Sequence, residues 1–346
     1  RPLLMNADNF FRTYFPQLAK VDAPYAWQAR CFHDILSGNW PDTLPLPTGT
    51  GKTAIMQIWL LALAWSNIEA NASKSAIPRR LAWVVNRRVV VDQATEEAGR
   101  IARAIDDLPG DDPLRESLEA LSGNDRALAV STLRGQKADN QEWSTNPARA
   151  AIIVGTVDMI GSRLLFRGYG DSRYRRPLHA GLLGVDTLII NDEAHLSPAF
   201  ANLLQEVQRL SPAASLAPKT FRVLLLSATS NGGGADSLAG SLEADLAESA
   251  HFRAVCTAGK RLLLHEAAAQ KEVDTRLFEL AMRPGAPRTI VFIEQPEEAA
   301  RMAERIRAAS DAARVALLTG TMRGRERDEL ARGPAFAVFA GNAPPE

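Results

Sequence analysis

The sequence predicts an α/β fold built as a doubly wound parallel sheet, and three observations predict it. Short apolar and β-branched runs alternate with longer helical stretches along the chain. The runs are nearly continuous in apolar residues, the pattern of strands covered on both faces and not of a sheet with one wet side. A glycine-rich turn opens straight into the most apolar helix candidate.

Taken in order, the strand candidates are Arg80–Val85, Ala150–Val154, Thr187–Ile190, Phe221–Leu226 and Thr289–Ile293, each bounded by Pro, Gly, Asp or Ser. Helix candidates lie around them at Ala54–Ser66, Val91–Ala104, Pro198–Arg209 and Glu297–Ala309. That βαβ order places helices on both faces of one sheet. Phe10, Phe11, Tyr14 and Phe15 share helical spacing and are expected to pack an N-terminal helix. Asp106–Trp143 is polar and charged, and reads as an insertion carrying one short helix, Pro113–Leu121. Ser230–Gly234, SNGGG, is a flexible breakpoint by composition. Residues 1–257 are expected to form a first domain, with its insertion at about 106–143, and residues 258–346 to begin a second.

Composition narrows the function classes. Of the 346 residues, 46% are hydrophobic and 23% charged, which excludes global disorder and fibrous repeats. Forty basic residues balance forty acidic ones, so any contact with a polyanion must come from local patches. Cys31 and Cys256 stand far apart, which gives neither a disulfide framework nor a four-ligand zinc site and suits a reducing, cytoplasmic setting. The most apolar run, Ala54–Trp65, is shorter than the ~20 residues a membrane span requires, so no membrane partner is expected.

Leu44–Thr53 reads LPLPTGTGKT. Glycines let successive backbone N–H groups turn toward one anion, and the helix that follows adds the positive end of its dipole. Thr48, Gly49, Thr50, Gly51, Lys52 and Thr53 are therefore the candidate nucleotide cradle. Lys52 would reach the β- and γ-phosphates, and the Thr53 hydroxyl would ligate Mg2+. ATP and Mg2+ are the expected ligands. Leu46 stands at the first consensus position, where a glycine is usual.

Thr187–Asn191 leads into Asp192-Glu193-Ala194-His195. Two carboxylates just past a strand end sit where parallel sheets bind ligands. Asp192 is the candidate Mg2+ holder, directly or through water, and Glu193 the group that orients or deprotonates an attacking water. Taken alone, the same four residues could be a polar helix start. Asn191 is an oddity, a polar residue where a strand usually stays apolar.

A third signal, Ser227-Ala228-Thr229, follows the strand Phe221–Leu226. PTGTGKT, DEAH and SAT in this order resemble the motor core of superfamily 2 helicases, with RecA-like P-loop domains. That resemblance implies adenine recognition by Gln28, nucleic-acid contacts by Arg87, Arg88 and Thr156, and a coupling role for His195, Ser227 and Thr229. A narrower resemblance lies in GTVDMIGSRLLFRGYG, Gly155–Gly170, and NDEAHLSPAF, Asn191–Phe200. These look like the helicase–nuclease of type I CRISPR interference, nearest its type I-G (formerly I-U) branch. The implied function is ATP-dependent translocation on single-stranded DNA, with recruitment by a CRISPR surveillance complex bound to its target R-loop. Arg163 and Arg167, in a cluster with Arg173, Arg175 and Arg176, would grip the strand.

Arg288–Glu346 resembles the opening of a second RecA-like domain, including LLTGTMRGRERD, Leu317–Asp328. No Q-x-x-G-R-x-x-R pattern and no second His-Asp pair beyond His33-Asp34 occurs in the sequence. The expectation is an incomplete second domain, no nuclease site in this chain, and nucleotide binding with weak hydrolysis. Two other readings stay open: a different superfamily 2 motor, such as a restriction-enzyme translocase or an RNA helicase, and a non-catalytic fragment that binds nucleotide and nucleic acid.

Overall fold

The computed structural model describes residues 5–68, 77–86, 88–123, 125–133, 140–210, 221–227, 236–259, 261–284, 289–310, 314–320, 322, 326 and 330. The chain divides into two compact units, Arg1–Gly259 and Lys260–Glu346.

The first unit begins with α1 (Ala7–Ala19) and α2 (Ala26–Leu36), followed by the short strand β1 (Thr43–Pro45) and the core helix α3 (Ile55–Asn67). Then come β2 (Arg80–Val85), α4 (Arg88–Asp106), α5 (Pro113–Leu121), β3 (Leu128–Leu133), α6 (Glu142–Thr145) and β4 (Ala150–Thr156). Next are α7 (Val157–Leu164), α8 (Arg175–Gly184), β5 (Thr187–Asn191), α9 (Pro198–Leu210), β6 (Arg222–Ser227), α10 (Asp236–Glu248) and α11 (Ala250–Thr257). The six strands form one sheet in the order β1-β6-β5-β2-β4-β3, parallel at every pairing.

Why the sheet is doubly covered is visible strand by strand. β2, β4 and β5 are buried at every residue. Side chains alternate between faces with period two. Leu81, Trp83 and Val85 enter one apolar core with Ile152, Val154, Leu188 and Ile190. Ala82 and Val84 enter the other with Ile153 and Ile189. The first core takes α1 through α5, including α3, which is buried from Ile55 to Trp65. Asn6 caps α1, accepting from the Asn9 N–H at 2.8 Å, and the aromatic run of that helix packs inward, with Phe11 stacked on Phe32 at 4.6 Å.

The segment 106–143 does more than the sequence suggests. It carries α5, with Asp112 as N-cap and Pro113 at the first turn, and also β3, which pairs with β4. The sequence reading missed β3 because polar Ser131 and Thr132 interrupt its apolar run, although Ser131 is buried. β1 was missed because it is a three-residue edge strand, short enough to end at Pro45.

The second unit contains α12 (Gln270–Ala281) and α13 (Pro296–Ala309). The Arg305 guanidinium lies 4.1 Å over the Phe278 ring. The strand expected at Thr289–Ile293 is not formed: this run is irregular, with Ile290 68% and Phe292 88% exposed. A strand requires a ladder partner, and the described residues of this unit provide none. Ser230–Gly234 and much of Leu317–Asp328 lie outside the described residues. Among the described residues, no helix is long and apolar enough to cross a membrane.

Candidate functional site

The turn between β1 and α3 is shaped by two glycines in left-handed backbone conformation, Gly49 at φ 89° and Gly51 at φ 78°. An L-residue in this region is strained by about 1–2 kcal/mol. At Gly51 space is also closed: a Cβ would lie 2.9 Å from Gln28 Nε2. Thr50 is pinned within the turn, its hydroxyl donating to the Pro47 carbonyl at 2.7 Å. Its own carbonyl accepts from the Trp27 indole at 3.2 Å.

Trp27 and Gln28 belong to α2, so that helix is fastened to the turn. Gln28 is buried, and its Oε1 accepts from the Tyr25 N–H at 2.8 Å. The α2 N-terminus is held by Asp245 of α10, whose carboxylate accepts from the N–H groups of Ala26 at 2.6 Å and Trp27 at 3.0 Å. α11 lies on the far side of the turn. Val255 is 3.4 Å from where a Gly49 Cβ would be, and Phe252 meets Tyr25 edge-on at 5.2 Å.

At the end of β5 the chain places Asp192 and Glu193. Asp192 is anchored by its N–H to the Val84 carbonyl of β2 at 2.8 Å. Burial pushes its carboxyl above the usual range, against the opposing pull of the Lys52 charge and a Trp83 hydrogen bond. Glu193 sits in the left-handed region at φ 50°, an uncommon conformation for a non-glycine residue. From there its Oε1 lies 2.9 Å from Lys52 Nζ. Asn191 is fully buried and shares hydrogen bonds of 3.3 and 3.4 Å with Ser197, which ties the strand end to the start of α9 and accounts for its polar side chain.

Gln28, Thr48, Gly49, Gly51, Lys52, Thr53, Asp192 and Glu193 all line one cleft of about 850 Å³. Trp83 and Gln57 add to its wall. A nucleoside triphosphate with Mg2+ fits this donor set. Lys52 supplies the cation, and Thr53 and Asp192 bring a hydroxyl and a carboxylate to the lining of the same cleft. Among the described residues no group of three His, Cys, Asp or Glu gathers to hold a metal, so a cation here would depend on phosphate oxygens for its remaining ligands.

A DEAD/DEAH box helicase family model matches residues 25–236. The chain belongs to the DEAD/DEAH box helicase family. The match begins at Tyr25, the N-cap of α2, and runs through the glycine turn and Asp192-Glu193 to the first residue of α10. Helicases of this family bind and hydrolyse ATP. Solved structures similar to the chain include a Saccharomyces cerevisiae Dbp5 variant bound to RNA and ADP BeF3, at 16% identity over 95% of this chain and 72% of that one, TM-score 0.48. Mycobacterium smegmatis helicase Lhr bound to ssDNA and AMP-PNP is similar at 17% identity over 96% of this chain and 40% of that one, TM-score 0.48. The yeast DEAD-box splicing factor Prp28 is similar at 14% identity over 94% and 66%, TM-score 0.39. Among curated proteins none matches the sequence.

Within this helicase domain the remaining candidate residues fall into three groups. His195 and Ser227 come together, Nδ1 to Oγ at 3.4 Å, with His195 also 3.5 Å from Glu193 Oε2. Thr156 ends β4 as the N-cap of α7, and Arg167 is exposed on the loop after α7. Arg87 and Thr229 lie outside the described residues, and of Arg88 only the backbone, at the start of α4, is described. Arg163 requires a correction as a strand-gripping residue. It is only 3% exposed, and its guanidinium pairs with Asp171 at 3.1 Å. Its charge is consumed inside the fold.

Sequence reasoning missed Trp27, Trp83, Asp245 and Val255 as parts of this site. Trp27 stood beside Gln28 and could have been found by asking what holds the glutamine. Asp245 and Val255 carry no local signal, because α10 and α11 reach the turn only through the tertiary fold.

Proposed function

We propose that the chain is the motor portion of an ATP-driven translocase or helicase acting on single-stranded DNA. The observation that supports it best is the convergence of Lys52, Asp192 and Glu193 on one cleft with the glycine turn. In the reading we favour, ATP phosphates settle on the N–H groups of the turn and Lys52 moves from Glu193 to the phosphate oxygens. Thr53 and Asp192 would hold Mg2+, which when bound would neutralise phosphate charge. Glu193, released from the lysine, orients the attacking water and accepts its proton. Gln28, fixed against Gly51, reads the adenine. His195 and Ser227 couple the acidic strand end to the neighbouring one, and Arg87, Arg88, Thr156 and Arg167 contact the strand. Residues 1–257 would be the first motor domain and 258–346 the start of a second.

The narrower part of the proposal is a motor of type I CRISPR interference, working in the cytoplasm and recruited by a surveillance complex at its R-loop. It draws on the segments Gly155–Gly170 and Asn191–Phe200. An RNA helicase or restriction-enzyme translocase is the competing reading. The weak ATP turnover expected of this chain, measured with single-stranded DNA, with RNA and with neither, separates them. Stimulation by DNA, lost in Lys52→Ala, is the expected result. Stimulation by RNA alone would favour the competitor. Turnover unchanged in Lys52→Ala would remove the assigned site. For the narrower part, co-purification with an R-loop-bound surveillance complex is the test, and absence of binding counts against it.

A further inference from the structure

Residues 159–185 contain five arginines and a single carboxylate, Asp171. That carboxylate is turned inward. It lies 3.1 Å from Arg163 Nε and 2.8 Å from His179 Nδ1, and all three side chains are less than 10% exposed. His179 in turn rests against the Trp143 ring at 4.9 Å. This buried knot fixes the loop between α7 and α8.

The loop backbone is held as tightly. Arg167 and Gly168 both donate to the Ser162 carbonyl, at 2.7 and 3.0 Å. Phe166, at φ 61°, takes up left-handed conformation, as do Gly168 and Gly170. Gly168 is required where it stands, because a Cβ there would collide with the Asp171 carboxylate. The result of this order is an outward display. Phe166 and Tyr169 are each 60% exposed and Tyr174 75%. Arg167, Arg173 and Arg175 are exposed among them, with the Arg173 guanidinium 4.7 Å over the Tyr174 ring.

Phe166, Tyr169 and Tyr174, exposed together on one fixed loop, form a candidate binding surface. With the only carboxylate of the stretch spent on Arg163 and His179, the surface is cationic in a chain whose net charge is zero, and its complement is a polyanion. Flat rings interleaved with guanidinium groups suit unpaired bases, which stack on aromatics while arginines follow the phosphates. We propose that the loop 165–175 is a stacking platform for single-stranded nucleic acid, extending the Arg167 contact with the rings of Phe166, Tyr169 and Tyr174 and separate from Thr156 at the strand end. It rests on the nucleic-acid reading above.

The test is fluorescence anisotropy of a labelled oligo(dT) with the full chain, over a range of salt concentrations. Variants are Tyr169→Ala/Tyr174→Ala, Arg167→Gln/Arg173→Gln and, at the strand end, Thr156→Val, with thermal melts as fold controls. The ring variant is expected to weaken binding roughly five-fold or more per ring. The arginine variant should flatten the salt dependence by about 0.7 log units for each phosphate left without its guanidinium. Ring and arginine variants that bind as the wild type does, while Thr156→Val is weakened, would overturn the platform and leave the aromatic face to a protein partner. A flattened salt slope with the rings dispensable would also overturn it, reducing the loop to an anion contact. No binding by the wild type would defeat the nucleic-acid reading itself.

Discussion

Lys52 Nζ stands 2.9 Å from Glu193 Oε1 across the cleft. The lysine is 9% exposed and the glutamate 32%, so the pair lies at the inner wall of the site. Each residue is occupied with the other, and a triphosphate must compete with Glu193 for the ammonium. Glu193→Gln removes the competitor's charge while keeping its shape. Nucleotide affinity is expected to hold or rise, while hydrolysis falls about 10²–10⁴-fold through loss of the base. Lys52→Ala should instead weaken nucleotide binding itself by about 10–100-fold, the cost of one charged hydrogen bond. Titration with a fluorescent ATP analogue beside phosphate-release kinetics separates the two. Equal loss of affinity in both variants would contradict the division of roles.

Gly51→Ala tests the packing of the turn against α2. The substitution imposes left-handed strain of about 1–2 kcal/mol and pushes a methyl toward Gln28 Nε2. If Gln28 reads the base, displacing it should lower the preference for ATP over GTP as well as the affinity. Competition binding with the two nucleotides measures this. A variant with weaker affinity but an unchanged preference would detach Gln28 from base recognition.

Much of this site was legible in the sequence, because its chemistry is concentrated in local runs. The glycine turn, the paired carboxylates and the buried central strands all announce themselves within ten residues. Edge strands β1 and β3 did not, since β1 is only three residues long and polar Ser131 and Thr132 break the apolar run of β3. Arg163 was misread for the opposite reason. A cluster of arginines looks uniformly cationic in sequence, and only the fold reveals that Asp171 and His179 draw one of them inside. Asp245 could not be found at all, being 219 residues from the N–H group it caps.

Asp245→Ala is the prediction that this long-range contact carries. Its carboxylate satisfies two otherwise open donors at the start of α2. Loss of an N-cap costs about 0.5–2 kcal/mol, and α2 carries both Trp27 and Gln28. The variant is expected to melt a few degrees lower and to bind ATP more weakly, with affinity falling beyond what the melt explains. Asp245→Asn retains one acceptor and should fall between the two. Measuring affinity well below the melting temperature separates the effects, and full affinity in Asp245→Ala would show that the cap serves stability alone.

The last prediction concerns alkaline pH. The Tyr14 hydroxyl donates to Asp112 Oδ2 at 3.2 Å. Burial first, and then the Asp112 charge, push its pKa up to about 12 from the ordinary 10.0. The folded chain thus keeps a proton that the unfolded chain gives up near pH 10. Stability from this group is fully present below pH 10 and is lost as pH rises through about 12, since the unfolded state binds fewer protons throughout that window. Cys31, fully buried and also raised to about 12, adds a slope of the same sign. Tyr14→Phe removes one contribution and leaves the other. Urea unfolding at pH 10 and pH 12 should therefore show a smaller drop in stability for Tyr14→Phe than for the wild type. Equal drops would mean that Tyr14 ionises alike in the folded and unfolded chains.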